Sequence, residues 1–141
     1  MSESKQQLKS ILKIPKNTEL FETSATICWV DKHGIVCVVV KNVKRTIENH
    51  KEQIQLYNKF IKDGNKFCSL IDITNSMPLR REIREYLAAE LSKYIKAQAI
   101  ISVKPLERTL ATGFQEINKR GYPMNYFTNE IEAKSWLNTF L

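Results

Sequence analysis

The chain has 141 residues, of which 43% are hydrophobic and 26% are charged, and its formal net charge is +7. This composition is typical of a globular domain with one buried core, and it excludes a disordered polar chain. No apolar run approaches the roughly 18 residues that span a bilayer, so we expect no membrane insertion.

The positive charge is spread along the chain. Residues 1–18 carry four lysines and one glutamate, and residues 41–66 carry seven basic residues interleaved with three acidic ones. Nucleic-acid grooves more often combine clustered Lys and Arg with exposed aromatic side chains. We therefore expect a solvated basic surface and no nucleic-acid partner.

The three cysteines are Cys28, Cys37 and Cys68. An odd number in strand-like, apolar surroundings indicates reduced core thiols in a cytoplasmic setting. The N-terminus has neither the long apolar run nor the small-residue cleavage site of a secretory signal, which agrees with that expectation.

The first elements in chain order are an arm and a hairpin. Residues 1–18 form an arm or a short helix that Pro15 ends. The segments Glu19–Val30 and Ile35–Val40 have strand patterns, and the short loop between them contains Gly34. This order predicts a β-hairpin.

A symmetric hairpin register places Cys28 opposite Cys37. Such a pair fits either a redox or metal site or two small residues packed in the core. Because no second ligand pair follows at metal spacing, the sequence favours core packing.

The segment Thr46–Lys62 is predicted to be a helix with Thr46 as its N-cap and Gly64 after its end. His50 lies on its apolar stripe with Ile54 and Tyr57. A ligand or a base is one interpretation of His50. The other, a packed histidine with one hydrogen bond, is favoured because no partner residue is recognisable.

The remaining elements alternate between strands and helices. The predicted strands are Lys66–Ile73, Ala97–Val103 and Met124–Phe127. The predicted helices are Leu79–Lys96, capped by Asn75 or Ser76, a helix between Pro105 and Gly121, and a last one capped by Thr128. The order β-β-α-β-α-β-α-β-α predicts one α/β domain over residues 19–141, with a mostly parallel five-stranded sheet and an N-terminal hairpin.

The segment Phe67–Arg81 is the most informative part of the chain, because an apolar strand there runs through a polar turn into a basic helix. Ligands of open α/β folds bind at the carboxyl ends of strands, where helix amide groups are free. We predict a binding site for a protein partner or an anion at this strand end. Its candidate residues are Asp72, Thr74, Asn75, Ser76, Arg80, Arg81 and Arg84.

Two hydroxyl groups at this strand end, on Ser76 and Thr74, are candidates for phosphorylation. A phosphate there would meet helix amide groups and the arginines. The alternative is that Ser76 only caps the helix. Asp72 is expected to accept hydrogen bonds from backbone amides of its own turn.

Four segments together resemble the STAS domain, the fold of the SpoIIAA-type anti-sigma-factor antagonists. They are Leu70–Ile73 with the following turn and helix, Ala99–Leu110, Pro123–Phe127 and Glu132–Leu137, and they span about residues 20–141. The resemblance implies a SpoIIAA-like fold and a bacterial regulatory module. The Asp-Ser-Ser-Gly run of the phosphorylated antagonists is missing, and Thr74–Leu79 stands in its place.

The resulting functional prediction is a non-enzymatic regulatory or protein-interaction module with an unidentified protein partner, no cofactor and no metal. The sequence shows no acid–base pair and no glycine-rich phosphate loop. The alternative is a protein that binds a small apolar or anionic ligand between helices and sheet, lined by Trp29, Met77, Phe114, Tyr122 and Met124. Homo-oligomerisation through an edge strand stays open.

Overall fold

The computed structural model describes residues 10–103 and 121–141. Within these ranges the strands are β1 (Phe21–Glu22), β2 (Thr26–Val30), β3 (Val36–Val40), β4 (Phe67–Asp72), β5 (Ile95–Ile101) and β6 (Met124–Phe127). The helices are α1 (Ile47–Phe60), α2 (Arg81–Glu90) and α3 (Glu130–Asn138), and a short 3₁₀ turn, Leu91–Lys93, follows α2.

The six strands form one mixed sheet in the order β1-β2-β3-β4-β5-β6. The first three strands pair antiparallel, and β3 to β6 pair parallel. The α/β class and the N-terminal hairpin are therefore confirmed.

The predicted count of five strands is wrong. Thr23 turns the chain inside the predicted first strand, since its backbone amide donates to the carbonyl of Thr26 and its Oγ1 accepts from the amides of Ala25 and Thr26. This turn separates β1 from β2. Because β1 pairs antiparallel with β2, the sheet combines antiparallel pairings with the parallel pairings of β3 to β6.

The register of the β2–β3 hairpin differs from the predicted one by one residue. Cys37 lies opposite Trp29, and Cys28 lies opposite Val38. The loop between the strands spans residues 31–35, and Asp31 Oδ1 organises it by accepting from the amides of His33 and Ile35. With an odd number of loop residues the two cysteines fall on opposite faces of the sheet, so they form no pair.

All three cysteines are free and buried, as expected for core thiols. Burial raises the pKa of Cys37 to about 12 and also raises the pKa values of Cys28 and Cys68. These side chains therefore stay protonated at neutral pH and pack as small apolar groups.

Helix α1 begins as predicted. The Thr46 side chain accepts from the Asn49 amide at 3.2 Å, and the Asn49 side chain accepts from the Thr46 amide at 3.0 Å. This reciprocal pair is a capping box. It fixes the start of α1 just after the carboxyl end of β3.

Helix α2 begins later and ends earlier than predicted. Its N-cap is Arg80, which makes no side-chain capping bond, so neither Asn75 nor Ser76 caps it. Arg80 has extended backbone angles (φ −71°, ψ 158°), so the helix begins only after it. After Glu90 the α-helix changes into the 3₁₀ turn. The chain then enters β5 at Ile95, because Ile95 pairs with Phe67 in the sheet.

The C-terminal elements agree closely with those predicted from the sequence. Strand β6 has the predicted bounds. The cap of α3 is Asn129, whose Oδ1 accepts from the Glu132 amide at 2.8 Å, and not Thr128. The helix predicted between Pro105 and Gly121, and most of the segment Ala99–Leu110, lie outside the described residues.

The central strands are buried on both faces, so the sheet separates two apolar layers. Val36, Val38 and Val40 pack with α1 and α2. Cys37 and Val39 pack on the opposite side, in the layer that also contains Leu12 and residues of α3. Side-chain alternation along the strands therefore decides which layer each residue joins.

The N-terminal segment is bound to the end of β4. Asp72 Oδ2 accepts from the backbone amides of Ile11, at 2.6 Å, and Leu12, at 2.8 Å, while its Oδ1 accepts from the Thr74 amide at 2.9 Å. The Asp72 and Leu12 residues are each only 1% exposed. The described part of the arm, residues 10–18, contains no helix, and the rest of the segment lies outside the described residues.

We predict that Asp72→Ala will lower the free energy of unfolding by about 4.5 kcal/mol, because it removes the acceptor of three amide groups and each charge-assisted bond contributes about 1.5 kcal/mol. Urea unfolding measures the loss. Limited trypsin digestion should also cut faster after Lys13, since the segment loses its attachment.

The matched control is Asp63→Asn. Asp63 is exposed and has a positive φ of 54°, which asparagine tolerates. This control should keep wild-type stability and digestion. Wild-type behaviour of Asp72→Ala in both assays would contradict the structural role of this carboxylate.

Candidate functional site

A cavity of about 280 Å³ lies between α1, α2 and the sheet, and we call it the helix-side cavity. Its walls are mostly apolar. The sheet contributes Val38, Ile71 and Ile100, and the helices contribute Ile54 and Leu87. An apolar cleft with a few polar groups is the usual form of a small-molecule site.

Two polar residues of the cavity lining, Thr26 and Gln53, belong to a hydrogen-bonded network of side chains. Gln53 Oε1 accepts from Thr26 Oγ1, and its Nε2 donates to Cys28 Sγ at 3.3 Å. Thr23 Oγ1 contacts Thr26 Oγ1 at 2.7 Å and completes the network. These side chains hold α1 against β2, and they stabilise the wall because each buried polar group has a partner.

Another part of the lining is cationic and lies at the carboxyl end of the parallel strands. Arg45 follows β3, and Ser76 follows β4. Arg45 Nη2 donates to Ser76 Oγ, so the two chain segments are joined at this point. Arg84 of α2 also lines the cavity, and its Nη1 donates to the Leu79 carbonyl at 3.0 Å.

His50 lines the same cavity from α1 and is 6% exposed. Its Nε2 is buried and makes no hydrogen bond among the described residues. Burial, with a further contribution from the positive charge of Arg45, lowers the pKa of His50 to about 4. The imidazole is therefore neutral at physiological pH, and it faces the cavity with an unused hydrogen-bonding atom.

The predicted site residues do not all lie in one place in the structure. Ser76 and Arg84 line the helix-side cavity. Asp72 points into the other layer and is occupied by the backbone amides of residues 11, 12 and 74. The expectation that Asp72 binds amides of its own turn is confirmed by Thr74, whereas its predicted place in an open binding site is wrong because it is buried.

The other four predicted residues, Thr74, Asn75, Arg80 and Arg81, are not part of the described cavity lining. Thr74 and Asn75 are half-buried. Arg80 and Arg81 are exposed and pair with carboxylates of their own helix, at 3.8 Å to Glu82 and 2.9 Å to Glu85. Phosphorylation of Ser76 or Thr74 stays a prediction.

The residues predicted to line a small-ligand pocket also lie in different parts of the structure. Met77 and Met124 line the cavity. Trp29 packs in the opposite layer, so its predicted place in the lining is wrong. Tyr122 packs in the layer of α1 and α2 and reaches Gln98, a cavity residue, at 3.5 Å. Phe114 lies outside the described residues.

Sequence reasoning missed Arg45 as a site residue. It was counted only in the basic surface, yet it follows β3 just as Ser76 follows β4. The rule that placed the site at a strand end would have included Arg45 if it had been applied to both neighbouring parallel strands.

A second depression, of about 700 Å³, lies near the amino ends of the parallel strands and is lined by exposed lysines such as Lys62 and Lys66. None of its described lining residues carries a buried polar atom that lacks a partner. The described ranges also contain no cluster of three metal-ligating side chains and no helix long and apolar enough to cross a membrane. The helix-side cavity is therefore the better candidate site.

We predict that the stability of the protein will fall as the pH decreases from 6.5 to 4. The folded-state pKa of His50 is about 4, below the ordinary value of 6.5, so the unfolded chain binds more protons in this interval. Between pH 7 and 5 this linkage should contribute a loss of about 1 to 2 kcal/mol. Urea unfolding at both pH values measures it.

His50→Gln should remove that share of the pH dependence. The matched control, His33→Gln, changes the other histidine, which is exposed in the β2–β3 loop, and should keep the wild-type profile. An identical pH dependence in His50→Gln and the wild type would show that His50 titrates normally in the folded protein.

Comparisons with known proteins identify one family. Searches of curated proteins and of solved structures give no match. The model of a domain of unknown function, DUF7793, matches residues 28–141, which include β3 to β6, all three helices and the described lining of the cavity except Ala25 and Thr26. The chain therefore belongs to the DUF7793 family.

Proposed function

We propose that this chain is a non-catalytic binding protein for a small, mostly apolar molecule, and that the molecule binds in the helix-side cavity. The observation that carries the proposal is the cavity itself, about 280 Å³ in volume and walled by aliphatic side chains of the sheet and two helices. Dispersion contacts with this lining favour the binding of an apolar body that fits between the helices and the sheet.

The amphipathic pattern of the elements also supports this proposal. Leu87 and Leu91 face the sheet from α2 and the following turn, and Ile54 and Tyr57 face it from α1. Residues at the rim are more exposed; Met77, for example, is 41% exposed. An apolar cleft with an adaptable rim suits entry of an apolar ligand.

The resemblance to the STAS domain adds a regulatory role to the proposal. In this interpretation, ligand binding changes the surface next to the cavity, and a protein partner recognises that surface. The turn from Thr74 to Pro78 is suited to this role, since Ser76, Met77 and Pro78 line the cavity while Met77 and Pro78 are exposed. The buried, protonated cysteines support a cytoplasmic location.

We predict that uniformly ¹⁵N-labelled protein will bind 2-naphthamide, a neutral two-ring probe, with NMR shift changes concentrated at amides of α1 and α2. Met124→Trp should weaken this binding about tenfold or more, equivalent to about 1.4 kcal/mol, because the indole occupies cavity volume. The shift changes during titration give both affinities.

The matched control is Ile131→Trp, which places the same side chain on α3 at a position 83% exposed and outside the cavity. It should bind the probe like the wild type. Thermal unfolding of each variant checks that the fold is kept. Absence of binding to the wild type, or equal binding by Met124→Trp, would disprove the proposed site.

A further inference from the structure

His50 brings an unused hydrogen-bonding group to the helix-side cavity. It lies in the first turn of α1, where its backbone amide donates to the Thr46 carbonyl at 3.2 Å. The residue is 6% exposed, and its Nε2 atom makes no hydrogen bond among the described residues. Thr26 and Gln53 of the same lining, by contrast, bond to each other. Because a buried polar atom without a partner destabilises the folded protein, His50 is a candidate for contact with a bound molecule.

The described surroundings of His50 do not fit two common roles of a histidine. The described lining of the cavity contains no aspartate, no glutamate, no cysteine and no second histidine. These neighbours therefore offer the imidazole no companion ligand for a metal ion and no carboxylate that orients it as a general base. A hydrogen bond to a bound molecule is the role that this lining leaves open.

The protonation state of His50 determines which ligand group fits it. Burial, with a further contribution from the charge of Arg45, lowers its pKa to about 4, so the imidazole is neutral at pH 7. A neutral imidazole has one donor nitrogen and one acceptor nitrogen. A hydroxyl group also donates and accepts, so it can pair with either nitrogen.

The arginines of the lining do not demand a negative charge from the ligand. Arg45 Nη2 donates to Ser76 Oγ, and Arg84 Nη1 donates to the Leu79 carbonyl at 3.0 Å. Both guanidinium groups are therefore engaged within the chain. A neutral hydroxyl group meets the requirement of His50 without bringing an ion into a mostly apolar space.

The volume and the walls of the cavity limit the rest of the ligand. A cavity of about 150 Å³ accommodates benzene, so a cavity of about 280 Å³ suits a body of roughly two fused rings. Val38, Ile71, Ile100 and Leu87 present aliphatic surface to this volume. Such walls suit a compact apolar body that carries few polar groups.

We propose that the ligand of the helix-side cavity is a neutral alcohol or phenol with an apolar body of about two fused rings, and that its hydroxyl group forms a hydrogen bond with the imidazole of His50. This inference rests on the proposed function and specifies its ligand class. The hydroxyl group satisfies the imidazole, and the apolar body contacts the aliphatic walls. His50 is then the residue that selects for the hydroxyl group.

The test compares three probes that share one ring system. They are 2-naphthol, 2-methylnaphthalene, in which a methyl group of similar size replaces the hydroxyl group, and 2-naphthoate. Amide shift titrations of the uniformly ¹⁵N-labelled full chain at pH 7.0 measure the three affinities. We expect 2-naphthol to bind about fivefold or more tightly than either other probe, because a site that hydrogen-bonds a hydroxyl group discriminates against analogues without one.

Variants of His50 separate recognition of the hydroxyl group from apolar burial. His50→Leu removes both ring nitrogens, so the ratio of the affinities for 2-naphthol and 2-methylnaphthalene should fall about fivefold or more. His50→Gln keeps a donor and an acceptor and should retain part of the preference. The matched control is His33→Leu, at an exposed histidine outside the cavity, which should keep the wild-type ratio.

Thermal unfolding without a ligand distinguishes a binding role of His50 from a purely structural one. His50→Leu should unfold at the wild-type temperature or above it, since the substitution removes an unsatisfied buried polar atom. A histidine that served only to stabilise α1 would instead leave a less stable protein when it is replaced.

The ring nitrogens give a readout that does not depend on affinity. The chain has two histidines, so long-range ¹H–¹⁵N spectra resolve the imidazoles of His50 and His33. Saturation with 2-naphthol should shift the ring nitrogens of His50 more than saturation with 2-methylnaphthalene does, because only the hydroxyl group forms a hydrogen bond there. The ring nitrogens of His33 should not respond to either probe.

The outcomes distinguish this inference from the proposed function. Equal affinities for 2-naphthol and 2-methylnaphthalene in the wild type would keep the apolar site and overturn the hydroxyl contact, since water would then satisfy His50 as well as the ligand does. Tighter binding of 2-naphthoate than of 2-naphthol would also overturn it. Binding of none of the three probes would reject the apolar site as well.

An unchanged ratio of affinities in folded His50→Leu would show that His50 does not recognise the hydroxyl group. If His50→Leu fails to fold, the ring nitrogens of the wild type decide the question. Equal shifts of the His50 nitrogens with 2-naphthol and 2-methylnaphthalene would overturn the contact.

Discussion

Side-chain alternation along β3 and β4 is the constraint on which the rest of the structure depends. Both strands are buried on both faces, so each successive residue joins a different layer. Ile71 therefore lines the helix-side cavity, whereas Asp72 points into the layer of Leu12 and α3. A shift by one residue would exchange these environments and bring a carboxylate to the cavity wall beside two arginines.

The cavity and the buried carboxylate are connected through the end of β4. Asp72 holds the Thr74 amide, and the turn that starts there carries Ser76 to its contact with Arg45. The N-terminal segment binds the same carboxylate from the other layer. One residue thus fixes both the docked N-terminal segment and the start of the turn that lines the helix-side cavity.

Helix α1 combines features that stabilise the folded protein with one that does not. Its capping box and apolar stripe stabilise the helix against the sheet. His50, on the same stripe, is buried with an unsatisfied nitrogen, which destabilises the folded protein. Local rules are often broken at functional positions, and this residue is the clearest such exception in α1.

The sequence by itself determined the class of the fold, the first helix with its Thr46 cap, the bounds of β6 and the buried cysteines. These features depend on neighbours within a few residues, where periodicity and capping chemistry are visible. Only the tertiary structure decided the pairing of Cys37 with Trp29, the occupation of Asp72 by Ile11 and Leu12, and the meeting of Arg45, His50 and Arg84 around one cavity. Loop parity and the packing of distant segments set those contacts, and neither leaves a periodic signal along the chain.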